Sequence, residues 1–300
     1  MAPSAAWAPF AATHDVAWFD TLPADSEELI ARIAGAQAVI NIRSSCRFTE
    51  SVMASSPSLR MISIWGTGTD NVDLDAARRR GIRVTNTPGV AAASIAEHCL
   101  ALMLAVARRL IPVDASVRRG EWQRGNSVQL AGKTLGIIGL GAIGRRFAQL
   151  GSAIGMRVIC WTMNPNPALG FHLVPLDEVL RDADVVSLHL RLSGKTHHFL
   201  GAAELARMKP SAIFINTARG PIVDEAALIG ALESGQIAGA GLDVFEQEPM
   251  PPGHALASLD NVVMTPHCAG ITPETLEAGL ALALSNVDAW MEGREQNVVV

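Results

Sequence analysis

Three glycines spaced GxGxxG close an apolar run in TLGIIGLGAIG, at Gly139, Gly141 and Gly144. Placed between a strand and a helix, this spacing binds the pyrophosphate of a dinucleotide. The first glycine makes the tight turn, the second lets the phosphates approach the backbone, and the third lets helix and strand pack closely. Ala142 and Ile143 then open a helix whose N-terminal amides and dipole face the phosphates. Downstream, three more apolar runs end in charged or titratable groups. FINTARGPIVDE carries Arg219, GLDVFEQEP carries Asp243 and Glu248, and MTPHCAG carries His267. The carboxyl ends of strands line the ligand crevice of an open α/β sheet, so these four are expected to converge.

The elements that must position them alternate. Before the turn, β-like runs and helical ones follow each other: HDVAWF then SEELIARIAG, AQAVINI then TESVMASS, LRMISIW then NVDLDAARRRG. A long helical stretch, ASIAEHCLALMLAVARRLIPVDASVRRGEW, is apolar around most of its circumference, as in a helix buried between layers or subunits. A second alternation runs from TLGIIG to NVVMTP, and a last helix is expected from about Thr272 to Met291. The fold class is therefore α/β, with two doubly wound, Rossmann-like parallel-sheet domains. The final helix lies beyond the need of the second unit, so that unit interrupts the first. Boundaries fall near 1–91 plus 270–300 for a flavodoxin-like substrate domain, and 92–269 for an NAD(P)-binding domain.

Of the 300 residues 49% are hydrophobic and 18% charged, with a net charge of -5. The only basic cluster, Arg78-Arg79-Arg80, reads as a solvated helix end before Gly81, so neither nucleic acid nor an acidic membrane is an expected partner. No apolar run reaches a membrane span's length of about 18 residues. MAPSAAWAPFAATHD has no leading Lys or Arg and no unbroken apolar core, so no secretory signal is expected. Cys46, Cys99, Cys160 and Cys268 show no CxxC spacing, which fits a reduced cytoplasmic protein and gives no metal site.

The order GLGAIG, NTARGPIVDE, LDVFEQEP and TPHCAG, with NIRSSCRFTE, WGTGTDNVDL and VTNTPGVAAASIAEH upstream, resembles the D-isomer-specific 2-hydroxyacid dehydrogenases along nearly the whole chain. The resemblance implies hydride transfer between NAD or NADP and a small 2-oxo acid, giving the D-2-hydroxy acid reversibly. It implies His267 as acid/base, with Glu248 against the imidazole favouring the protonated ring. Arg219 would bridge the substrate's carboxylate and carbonyl. Asp243 would accept from the nicotinamide carboxamide, and Thr217, Ala218 and Gly270 would lie along the cofactor. In the first domain, Thr67 and Gly68 would hold the substrate carboxylate, and Arg43 and Ser44 would stand near the substrate. The long helix would form a homodimer contact.

The sequence departs from the family pattern in ways that bear on the cofactor. Thr162 stands where an acid normally meets the adenine ribose, about 20 residues after the turn. No carboxylate there repels a 2'-phosphate, and no arginine adjoins it. Arg191, in SLHLRLS, either reaches that phosphate or is a loop arginine in water, so NAD and NADP both stay open. Ala142 stands where many relatives carry an arginine. Trp65, just before the carboxylate-binding turn, either narrows the pocket or packs in the core, and His98, His197, His198 and Cys268 are expected to be packing or solvated residues. Two other readings remain beside the dehydrogenase: a dinucleotide-sensing binding protein on the same scaffold, and an enzyme acting on formate or phosphite.

Overall fold

The computed structural model describes residues 5–42, 46–122 and 124–300. The chain opens with helices α1 (Trp7–Thr13) and α2 (Ser26–Arg32); Asp25 caps the latter by accepting from the Glu28 amide. Next come β1 (Ala38–Ile42), α3 (Glu50–Ala54), β2 (Met61–Trp65), α4 (Leu74–Arg79) and β3 (Arg83–Thr85). The three strands are parallel in the order β1-β2-β3. β2 is buried along its whole length, as its unbroken MISIW run requires of a strand covered on both faces. At the end of α4, Arg78 pairs with Asp75, and Arg79 and Arg80 pair with Glu50.

The strand expected at HDVAWF does not form. His14 is the C-cap of α1, and Asp15–Phe19 follow as irregular chain. Their aromatic rings find partners locally instead of in a sheet: Trp18 meets Trp7 edge-on at 5.2 Å, and the Arg32 guanidinium lies over Phe19.

The long helical stretch is two helices, α5 (Ala92–Ala107) and α6 (Leu110–Arg118), separated where Arg109 takes a left-handed φ of 50°. Pro112 explains the break. In a continuous helix its ring would meet the Arg108 carbonyl, whereas a restart at Leu110 places it in a first turn, where proline is tolerated.

The second alternation follows: β4 (Thr134–Ile138), α7 (Ala142–Ala153), β5 (Arg157–Trp161), α8 (Leu176–Asp182), β6 (Val185–Leu188), α9 (Ala202–Leu205), β7 (Ile213–Asn216), α10 (Glu225–Glu233), β8 (Gly239–Leu242) and β9 (Val262–Met264). All six strands are parallel, in the order β5-β4-β6-β7-β8-β9. The chain moves outward from β4 to β5 and then returns across β4 to β6, so the direction of winding switches between β4 and β6. That switch point is where an open α/β sheet leaves a crevice at its strand ends.

The last helix, α11 (Pro273–Met291), is capped by the Thr272 hydroxyl, which accepts from the Thr275 amide. Its Leu280, Ala283, Leu284 and Val287 pack with Phe10, Met61 and Trp65. Trp65 is thus a core residue. A Cβ at Gly279 would lie 2.1 Å from its indole nitrogen, so only glycine admits the ring. The final residues pair with β3, Val84 donating to the Val300 carbonyl and Val299 to that of Val84.

Two compact units result: the chain up to Ala91 together with Ile271–Val300, and Ala92–Gly270. Each is α/β with a parallel sheet. Among the described residues, no helix is long and apolar enough to cross a membrane.

Candidate active site

The glycine turn sits at the switch point. Gly139 follows β4 with φ 102°, and a Cβ there would be 2.7 Å from the backbone of His189, just past β6. A Cβ on Gly144 would be 2.1 Å from the Gly139 carbonyl oxygen, so helix and turn are in direct contact. Gly141 differs: nothing lies within 4 Å of its Cβ position. It is the N-cap of α7 and supplies no side-chain cap, so the first amides of that helix have none from this position. An open glycine between two closed ones, before uncapped amides, fits the pyrophosphate of a dinucleotide.

Thr162 follows the end of β5 and is half-buried, while Met163 and Asn164 beside it are exposed. Arg191 is exposed, and its carbonyl accepts from the Thr196 hydroxyl at 2.6 Å. Thr217 is buried against Cys99, its Oγ1 3.1 Å from the thiol. Ala218 and Gly270 are half-buried at the ends of the runs after β7 and β9.

The proton-active groups come together after β8 and β9. His267 Nδ1–H donates to Glu248 Oε2 at 2.7 Å, and both side chains are partly exposed. His267 holds a left-handed φ of 51°, with its amide donating to the carbonyls of Asp243 and Thr265. Burial works to raise the Glu248 carboxyl. The hydrogen bond and charge of His267, the Phe245 amide and the Arg219 charge outweigh it and hold Glu248 below its ordinary value.

Arg219 follows β7, its Nη1 donating to the Ala218 carbonyl while Asn216 Nδ2 donates to its own carbonyl. Gly220, next in the chain, has no room for a side chain, since a Cβ would lie 1.9 Å from the Phe245 backbone. This close approach brings the Arg219 segment beside the Glu248 loop. His267 and Glu248 line a cavity of about 640 Å³ together with Thr265 and the apolar Phe245, Met250 and Met264.

Asp243 is 1% exposed and accepts from the Thr265 hydroxyl at 2.6 Å, the Cys268 amide at 2.8 Å and the Ala269 amide at 2.9 Å. His98, expected to pack on its helix, reaches the same cluster with Nε2 2.8 Å from Thr265 Oγ1. Burial and the Asp243 carboxylate raise the Cys268 thiol, and burial pushes Cys99 and Cys160 up to about 12, so none of these three is a ready nucleophile. His197 and His198 are exposed and stacked at 4.1 Å, and the fold brings Glu246 to 3.7 Å from His198.

Sequence reading did not single out Glu225 and His254. Glu225, at the start of α10, accepts from the Glu246 amide through Oε2 and meets His254 Nε2 at 3.0 Å through Oε1. The two clamp both ends of the loop that carries Glu248. A charged residue at a helix start and a histidine before a 3₁₀ turn are common surface features, so neither stands out in sequence. In the first unit, Thr67 and Gly68 form the turn after β2, with the Thr67 carbonyl accepting from Asn86 Nδ2 at 2.8 Å. Arg43 and Ser44 lie outside the described residues.

Comparison with known proteins gives the family of the chain. Residues 100–269 match the family model described as "D-isomer specific 2-hydroxyacid dehydrogenase, NAD binding domain". A glyoxylate reductase of Aeropyrum pernix is 41% identical over 290 residues, covering 92% of this chain and 86% of that one. A glycerate dehydrogenase of Methylorubrum extorquens is 40% identical, covering 91% and 88%. Among solved structures, an NADPH-dependent glyoxylate/hydroxypyruvate reductase from Sinorhizobium meliloti, in complex with NADP and malonate, superposes with a TM-score of 0.85. It is 34% identical and covers 92% of this chain and 88% of its own.

Proposed function

We propose, on the premise that this chain belongs to the D-isomer specific 2-hydroxyacid dehydrogenase family, that His267, Glu248 and Arg219 carry its reaction. The chain is an NAD(P)-dependent oxidoreductase that interconverts a small 2-oxo acid and its 2-hydroxy acid. The bound dinucleotide supplies or accepts the hydride. The observation that carries the residue assignment is the 2.7 Å bond from His267 Nδ1–H to Glu248 at the edge of the cavity. With Nδ1 tied, Nε2 gives a proton to the carbonyl oxygen in reduction and takes it from the hydroxyl in oxidation. Arg219 presents a planar donor fork to the carboxylate and carbonyl of the 2-oxo acid, fixing it and polarising C=O.

Gly139, Gly141, Ala142, Ile143 and Gly144 receive the pyrophosphate, and Thr162 and Arg191 face the adenine ribose end. Thr217, Ala218 and Gly270 border the nicotinamide half, whose carboxamide Asp243 accepts. Thr67 and Gly68 hold the substrate carboxylate. Leu110, Ile111, Val117 and Trp122 are large apolar residues exposed on and just after α6, and they support a homodimer formed through the NAD(P)-binding unit. We place the protein in the cytoplasm, on its globular composition and scattered cysteines.

The names of the relatives make glyoxylate and hydroxypyruvate the first substrates to try. NADH and NADPH oxidation measured side by side with these acids and with larger ones such as phenylpyruvate should show turnover. The ratio between the two cofactors then reads out the ribose end at Thr162. Dinucleotide binding without turnover on any acid would replace this reading with that of a sensor.

A further inference from the structure

His98 on α5, Asp243 after β8 and Cys268 after β9 bring a ring nitrogen, a carboxylate oxygen and a thiol within 4.8 Å of one another. Thr265 stands between the first two, its hydroxyl 2.8 Å from His98 Nε2 and 2.6 Å from Asp243 Oδ1. Counting protons gives this chain a direction. A carboxylate only accepts, so the single hydroxyl proton of Thr265 goes to Asp243. The Thr265 oxygen is left to accept, and His98 therefore carries its proton on Nε2 and donates it. With a hydroxyl and two amides already on the carboxylate, the group is a hydrogen-bond relay and not an open set of metal ligands.

The same two residues seat the acid/base. The His267 amide donates to the carbonyl of Asp243 at 2.8 Å and to that of Thr265 at 3.1 Å. The relay thus touches both the group read as the carboxamide acceptor and the backbone that aims the imidazole.

We propose that His98 is a positioning residue: by donating to Thr265 it keeps that hydroxyl directed at Asp243, and so holds the carboxylate in the orientation that takes the nicotinamide carboxamide and selects the ring face presented for hydride transfer. This rests on the reading of Asp243 given above. The Cys268 and Ala269 amides each hold one carboxylate oxygen, and the Thr265 hydroxyl is the third donor, which His98 fixes by donating to its oxygen.

Two substitutions separate donation from packing. His98→Leu fills the volume without a donor, and His98→Gln keeps an N–H donor. His98→Leu should raise the coenzyme KM about 3- to 10-fold, the size of one hydrogen bond, and lower the stereochemical fidelity of transfer from stereospecifically deuterated coenzyme. The KM for the 2-oxo acid should stay at its wild-type value, and His98→Gln should recover most of the loss. Equal losses in the two variants, or an unchanged coenzyme KM in His98→Leu, would overturn the relay. Asp243→Asn tests the underlying reading through the affinity for NAD(P)H relative to the matching ADP-ribose, which lacks the nicotinamide. An unchanged ratio in Asp243→Asn overturns the carboxamide reading, and the relay with it. A ratio that falls in Asp243→Asn but not in His98→Leu overturns the relay alone.

Discussion

His267 takes a backbone conformation, φ 51°, that costs a non-glycine residue on the order of 1 kcal/mol, and its amide bonds to Asp243 and Thr265 hold it there. The cost is consistent with a ring that must meet Glu248 on one nitrogen and leave the other exposed. Glu248 sets the pH behaviour of the pair. Its carboxyl is held below the ordinary 4.5, so the folded protein keeps it ionised as pH falls through the range where an unfolded chain would take up a proton. The interaction is present above that ordinary value and is lost as pH drops through the lower folded one. Glu248→Gln should reduce kcat for 2-oxo acid reduction at neutral pH by roughly 10- to 100-fold. A variant that keeps the wild-type kcat would remove Glu248 from the reaction. At this scale the groups proposed to react could be read in sequence because each lies in a short motif. The Thr265–His98 bond could not, because 167 residues separate the two and only the fold places α5 beside β9.

At the scale of elements, the strand–turn–helix unit β4–α7 makes a sharper claim than its motif does. The three glycines have different reasons to be there. Gly144→Ala places a methyl 2.1 Å from the Gly139 carbonyl and should lower stability by about 1–3 kcal/mol. Gly141→Ala meets open space and should leave the melting temperature at its wild-type value while weakening dinucleotide binding. Wild-type affinity in Gly141→Ala would remove the pyrophosphate from this turn. These elements were readable because strand, turn and helix signals agree: an apolar run, GxGxxG, and a helix opening at Ala142. The start of α11 was readable for a similar reason, Thr272 being a capping residue followed by proline. HDVAWF misled because alternation alone cannot tell a strand from a segment leaving a helix and stacking its rings locally. The helix break at Arg109 was hidden by uniform apolarity, although Pro112 carried the signal.

For the whole molecule, the six-stranded sheet divides its labour between its two ends. The carboxyl ends of the strands hold the groups proposed to react, and the opposite ends are tied by Asp184, whose Oδ2 accepts from the Thr134 amide at 2.8 Å while Oδ1 meets Lys209 Nζ at 3.0 Å. Burial opposes ionisation of Asp184, but the amide and the lysine outweigh it and hold the carboxyl below its ordinary 3.8. The unfolded chain binds the proton more readily, so this stabilisation is present above the ordinary value and lost as pH falls through the folded one. Asp184→Asn should cost on the order of 1 kcal/mol at neutral pH after allowance for partial exposure, or roughly 2–4 °C in melting temperature. The two proteins should converge in acid. A difference that persists at pH 2 would assign the effect to geometry and not to charge.

The first unit is assembled from both sides of the second, and this has a consequence for the order of events during synthesis. A ribosome that has released Gly270 has delivered every strand of the six-stranded sheet. At that moment Trp65 still lacks Gly279 and the apolar face of α11, and β3 still lacks its partner at Val298–Val300. The nascent chain therefore carries a complete nucleotide-type sheet and a three-stranded one with an open face, and the tryptophan is wet until residues 271–300 arrive.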